Sequence, residues 1–183
     1  MKKLMIATAL VAAVLCAAPA RAQEVMSKES VAELKASFIA DLNVMKDKYV
    51  GLAQAFPQDK YTWRPMDGVR SVSEVLMLAA AEGYGFIPSG FGGKPGLPPD
   101  QMKQLSGITD KAQVIDHLNK AFAHVTSQLQ AIDNATLTGK RNFLRQDRSA
   151  ANIALTIGGD LHEHLGQMIA YARMNKIVPP WSK

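Results

Sequence analysis

Cysteine is all but missing from this 183-residue chain: Cys16 is the only one, and it falls at the end of the apolar N-terminal run. That excludes a disulfide framework, a cysteine nucleophile in the body of the protein and a thiolate metal ligand. Haem attached through a Cys-x-x-Cys-His run is excluded as well, so no haem is expected. Long apolar runs are also scarce. The one candidate, Leu4 to Leu15, is shorter than the roughly 20 residues a membrane helix needs.

That run follows Lys2 and Lys3 and leads to Ala18-Pro-Ala20-Arg-Ala22, with small residues three and one before Gln23. The order is that of a signal peptide. Residues 1–22 are therefore read as a cleavable leader and residues 23–183 as one domain, periplasmic or secreted in a bacterium and free of the membrane after cleavage. Leu15 precedes Cys16 where a lipoprotein signal wants a small residue, so no lipid anchor is expected. A one-signed charge excess is lacking too. Lys2, Lys3 and Arg21 lie in the leader, and without them 18 basic residues face 16 acidic ones, so the formal +5 shrinks to +2. No nucleic-acid partner follows from so small a balance.

What is present is helical periodicity. Val31, Leu34, Phe38, Leu42, Met45, Tyr49 and Leu52 recur at threes and fours from about Ser27 to Phe56, and Pro57 ends the run. Ser27, or Ser30 with Glu33, would cap it. Ser71-Val-Ser-Glu74 is a capping box that opens a second helix with Val72, Val75, Leu76 and Ala79 inward. That helix is expected to end at Gly83 to Gly85, because Gly85 to Pro99 holds five glycines and four prolines and reads as an irregular connection or lid. A third helix starts near Thr109 and buries Val114, Leu118, Phe122, Val125, Leu129 and Ile132. A polar stretch with Lys140, Arg141, Arg145 and Arg148 follows, read as a solvated loop with an anion site as the alternative. A fourth helix runs from Ser149 to Asn175, before Pro179-Pro180-Trp181. With no run of alternating strands, four apolar stripes point to an all-α four-helix bundle.

The inward face of the fourth helix reads Ile153, Ile157, Asp160, Leu161, His164, Met168 and Tyr171. Asp160 and His164 are one turn apart and can meet. Either they hydrogen-bond each other, or they offer oxygen and nitrogen to a divalent cation. His162 points about 200° from Asp160 and reads as a surface residue. Glu163 reads as a solvated charge that could join the pair. Trp63, Tyr84, Phe86 and Trp181 line a pocket mouth or seal the bundle ends, and His117 with His124 share one face of the third helix.

Three blocks carry a family resemblance: Trp63-Arg-Pro65, Gly68-Val-Arg-Ser-Val-Ser-Glu-Val75, and His162-Glu-His-Leu-Gly-Gln-Met-Ile-Ala-Tyr-Ala-Arg173 with the closing Val178-Pro-Pro-Trp181. In order and separation the chain resembles the DinB-like (damage-inducible) proteins. The resemblance implies a four-helix bundle with an atypical connection order and, in many members, a divalent metal on three histidines. One comes from the second helix and two from the fourth, four residues apart, just before the Gly-Gln pair. Here the last falls on His164, its partner on Asp160, and the second-helix position on Leu78 or its neighbours in Met77-Leu-Ala-Ala80, which bind no metal. Glu82, Glu163 or a ligand would have to fill in.

The first expectation is thus an exported DinB-like domain whose site has degenerated and holds a small-molecule ligand or nothing, with no metal cofactor. The alternative is a hydrolase or transferase that keeps zinc, nickel or iron on Asp160 and His164, with Glu163 or Tyr84 as acid or base. Relatives that use low-molecular-weight thiols work where those are abundant, in the cytosol, and an exported chain leaves it. A homodimer is implied by resemblance alone. Expressed with its leader in a bacterium, the protein should be recovered from the periplasm or medium with Gln23 as its first residue, as read by N-terminal sequencing; an intact Met1 on the recovered protein would refute the leader.

Overall fold

A computed structural model describes residues 25–182 of the protein, and the leader read at 1–22 lies outside them. Helix α1 (Lys28–Ala55) starts on Ser27, whose side chain accepts from the Ser30 N–H, so Ser27 is the cap. Its stripe Val31, Phe38, Leu42, Met45, Tyr49 and Leu52 is buried. The capping box of α2 (Val72–Ala81) is complete: the Glu74 N–H donates to Ser71 Oγ at 3.3 Å and the Ser71 N–H to the Glu74 carboxylate at 2.6 Å. Such a cap stabilises a helix by about 1 kcal/mol. Helix α5 (Lys111–Ala131) begins on Asp110 and α6 (Ala150–Met174) on Ser149. No described helix is long and apolar enough to cross a membrane.

The expected stop at Gly83 to Gly85 does not occur. The chain leaves α2 through a π-turn, Glu82–Phe86, and continues as α3 (Ile87–Phe91), which ends on Gly92 with φ 85°. Two residues that read as breakers, Gly83 and Pro88, are accommodated instead. Gly83 brings the turn against α5, where the Ala121 backbone lies 3.1 Å from the position a Cβ would take. Pro88 has no N–H to give the Tyr84 carbonyl four residues back, and the Gly96 N–H donates to that carbonyl at 2.8 Å. The expected lid is therefore a strap: Lys94 N–H donates to Gln128 Oε1 at 2.8 Å and His124 Nε2 lies 2.9 Å from the Lys94 carbonyl. A short helix α4 (Pro99–Gln104) follows.

A second correction concerns the basic stretch, which was expected to be a loop. It forms a hairpin of β1 (Arg141–Phe143) and β2 (Gln146–Arg148), with Arg141 opposite Arg148 and Phe143 opposite Gln146. Phe143 packs on Phe86, ring centroids 5.2 Å apart, which closes one end of the bundle. Arg148 is held by Thr156 Oγ1 at 2.8 Å and Gln146 Oε1 at 3.0 Å. The two turn residues, Leu144 and Arg145, have φ 51° and 62°, a left-handed conformation that side chains with a Cβ resist.

Helix α1 packs on α5 and α6, and α2 packs on the same two. The first and second long helices are thus diagonal partners, as are the third and fourth, whereas an up-down-up-down bundle places consecutive helices side by side. Two tyrosines tie the layers through buried hydroxyls: Tyr49 donates to the Leu161 carbonyl and Tyr61 to the Ala53 carbonyl, both at 2.7 Å. Because Asn-Gly suits a two-residue hairpin turn, the double change Leu144→Asn and Arg145→Gly should raise the unfolding free energy by about 1–2 kcal/mol, read from chemical denaturation. No gain would show that the turn carries no strain.

Candidate metal centre and cleft

Diagonal packing sets the end of α2 against the middle of α6. Asp160 and His164, one turn apart on α6, face Glu82 at the first position of the π-turn. His164 Nε2 stands 3.7 Å from Glu82 Oε1 and 3.8 Å from Asp160 Oδ1. One ligand atom from each of the three residues lies within 4.8 Å of the others. Asp160 and His164 do come together, but beyond hydrogen-bonding distance, so the simple paired reading of these two side chains does not hold.

Glu82 is the most perturbed of the three. It is 7% exposed, and its Oε2 is buried without a hydrogen-bond partner. Burial, then the neighbouring Asp160 carboxylate, push its pKa up to about 8, and the Arg70 charge opposes the rise. Two carboxylates crowded beside an imidazole need a proton or a cation between them. The orphaned oxygen and the one-nitrogen, two-carboxylate donor set fit a divalent transition metal. Leu78, which with its neighbours in Met77–Ala80 holds the position that the resemblance assigns to a ligand, is an apolar wall of the cleft, and Glu82 one turn later offers a third oxygen donor.

The cleft over this cluster has a volume of about 370 Å³ and is lined by Leu78, Ala81, Glu82, Phe86, Met102 and Asp160. Phe86 is thus the one of the four aromatic candidates that lines this cleft. Trp63 instead packs edge-on against Tyr171 with centroids 5.4 Å apart, and Trp181 lies under Lys48. Glu163 is exposed and outside the cluster. Tyr84 is placed against α5: its hydroxyl lies 3.2 Å from His117 Nδ1, and burial with Asp116 nearby pushes its pKa up to about 12. His117 and His124 are half-buried around the Tyr84 ring rather than solvent-exposed. His162 is on the surface, as expected, but pairs with Asp41 of α1 at 3.1 Å.

Tyr49 escaped the sequence reading. Its hydroxyl holds the Leu161 carbonyl between Asp160 and His164, and burial together with Glu82 and Asp160 raises its pKa, so it stays a phenol. Only its place in the α1 stripe was visible, and that place is shared by ordinary core residues.

Glu82 makes stability depend on pH. Its folded value of about 8 exceeds the ordinary 4.5, so the folded state binds the extra proton in that interval and stability falls as pH rises through it. In EDTA, the wild type should lose stability relative to Glu82→Gln between pH 5 and pH 9 in urea denaturation. Parallel curves for the two proteins would show that Glu82 ionises freely.

No curated protein and no solved structure matches the chain. The family model described as the DinB superfamily matches residues 41–168, from the middle of α1 to the last turns of α6, and takes in Glu82, Asp160 and His164. That is well over half of the 183 residues, and the chain belongs to the DinB superfamily.

Proposed function

We propose that Glu82, Asp160 and His164 hold one divalent transition metal at the base of a small-molecule cleft, and that the domain is a metal-dependent hydrolase or transferase of the cell exterior. The observation that carries this reading is the buried, unpartnered Oε2 of Glu82 beside Asp160 and His164. A cation there offsets the repulsion of two carboxylates and occupies the lone pairs that no hydrogen bond uses.

Three protein donors leave coordination positions open, which separates a catalytic site from a closed structural one. When bound, the metal supplies Lewis acidity toward a carbonyl or phosphoryl oxygen. The chain itself does the rest. Leu78, Phe86 and Met102 give the cleft an apolar wall, and Tyr49 fixes the turn of α6 that presents Asp160 and His164. Residues 1–22, read as a signal peptide, support export, and export argues for a co-substrate other than a cytosolic thiol.

Zinc titrated into EDTA-treated, dialysed protein against a chromophoric chelator should bind at one equivalent. Glu82→Ala, Asp160→Ala and His164→Ala should each weaken it by more than the roughly 10- to 100-fold that changes outside the ligand sphere cost. Binding should tighten as pH rises toward 8, because the metal displaces the Glu82 proton. Zinc binding that all three variants retain, or no binding to the wild type, would leave the degenerate, metal-free pocket as the correct account.

A further inference from the structure

The cleft does not end above the three ligands. A second cavity of about 410 Å³ extends along α2 toward its N-terminus and shares Leu78, Ala81 and Met102 with the first. Glu74, Met77, Leu78 and Ala81 recur at helical spacing on one face of α2 and line this extension, with Met102 also on its wall.

Two arginines stand at the far end, and they are not equivalent. Arg64 is committed: it pairs with Glu74 at 3.2 Å and donates to the Val69 carbonyl at 3.0 Å. Arg70 has no acidic partner and no side-chain hydrogen bond among the described residues, yet its backbone is fixed. The Tyr171 hydroxyl donates to the Arg70 carbonyl at 2.9 Å, and the Gln167 amide donates to that hydroxyl at 2.7 Å. Trp63 packs edge-on against the same Tyr171 ring. A fixed backbone thus carries an exposed, unpaired guanidinium at the polar end of the joined cavities, and the Glu82 cluster lies at the other.

We propose that the joined cavities bind an amphipathic monocarboxylate, with its carboxylate on Arg70, its apolar body along Leu78, Ala81 and Met102, and its far end at Glu82 and Asp160, beside His164. The planar fork of a guanidinium matches a carboxylate. A single charge is called for because Arg64 and Glu74 cancel each other, which leaves Arg70 as the one unmatched cation on this wall. The proposal deepens the metal-centre reading by naming the substrate class, and rests on that reading only for what happens at the far end.

Calorimetric titration of the EDTA-treated protein with octanoate, and with octanamide as its neutral match, tests the channel without metal. Octanoate should bind at least tenfold more tightly than octanamide. Arg70→Gln should bring octanoate down to the octanamide level, and Arg70→Lys should keep part of the preference. Met102→Trp, which narrows the shared stretch, should weaken both ligands. Equal binding of the two, no binding of octanoate, or a preference that survives Arg70→Gln overturns the proposal. Octanoate held through Arg70 by a protein that takes no zinc would overturn the metal reading alone, and zinc binding without octanoate would overturn this one alone.

Discussion

The contact between α2 and α6 is the constraint on which the rest of the molecule depends. A bundle whose consecutive helices lay side by side would set α2 against α1, and the end of α2 would meet no titratable pair. Diagonal placement puts the N-terminus of α2 beside Tyr171 and its C-terminus beside Asp160 and His164. One helix–helix seam therefore positions both the arginine end and the carboxylate end of the channel. The blocks that suggested the family meet along it: Trp63 on Tyr171, Arg64 on Glu74, and Tyr171 on the backbone of Arg70.

Electrostatics separates this cluster from the other charge pairs on the protein. Lys120 with Asp116 and His162 with Asp41 are exposed pairs, and such pairs stabilise by well under about 1 kcal/mol each. Glu82 differs because it is buried, faces a second carboxylate, and has an oxygen with no donor. A fold tolerates that arrangement only where the group is neutralised by a proton or a cation. The cost of keeping Glu82 is thus what singles it out among the acids of the protein, whereas Asp160 alone would pass for an ordinary half-buried acid.

Much of the fold was legible in the sequence because its signals are local. Ser71 with Glu74 and Ser149 ahead of α6 announced helix starts, and the stripes of α1, α5 and α6 followed the 3.6-residue period. Asp160 and His164 were legible as polar residues in an apolar stripe. Glu82 was harder to read, because the glycines at 83 and 85 argued for a helix end and an acid just before a helix end looks solvated. What keeps it inside is long-range: Gly83 against Ala121, and Gly96 returning to the Tyr84 carbonyl. The hairpin was hidden for the opposite reason. Leu144 and Arg145 carry none of the asparagine or glycine that marks such a turn, and the packing of Phe143 on Phe86 overrides that local preference.

The π-turn at Glu82–Phe86 has a consequence at the level of the gene. A π-turn contains one residue more than the α-turn it replaces, so the stretch from Val72 to Phe91 is a single helix carrying one extra residue. Loss of one codon inside that turn would let the helix close as α while α3, beyond the bulge, kept nearly its present facing, because the bulge takes up its extra residue locally. Glu82 and Phe86 would then stand three residues apart instead of four, which moves the cleft wall locally, while the capped first turns of α2 and its seam with α6 would survive. The geometry of this cleft and the stability of its scaffold are therefore separable by the smallest in-frame step a coding sequence can take.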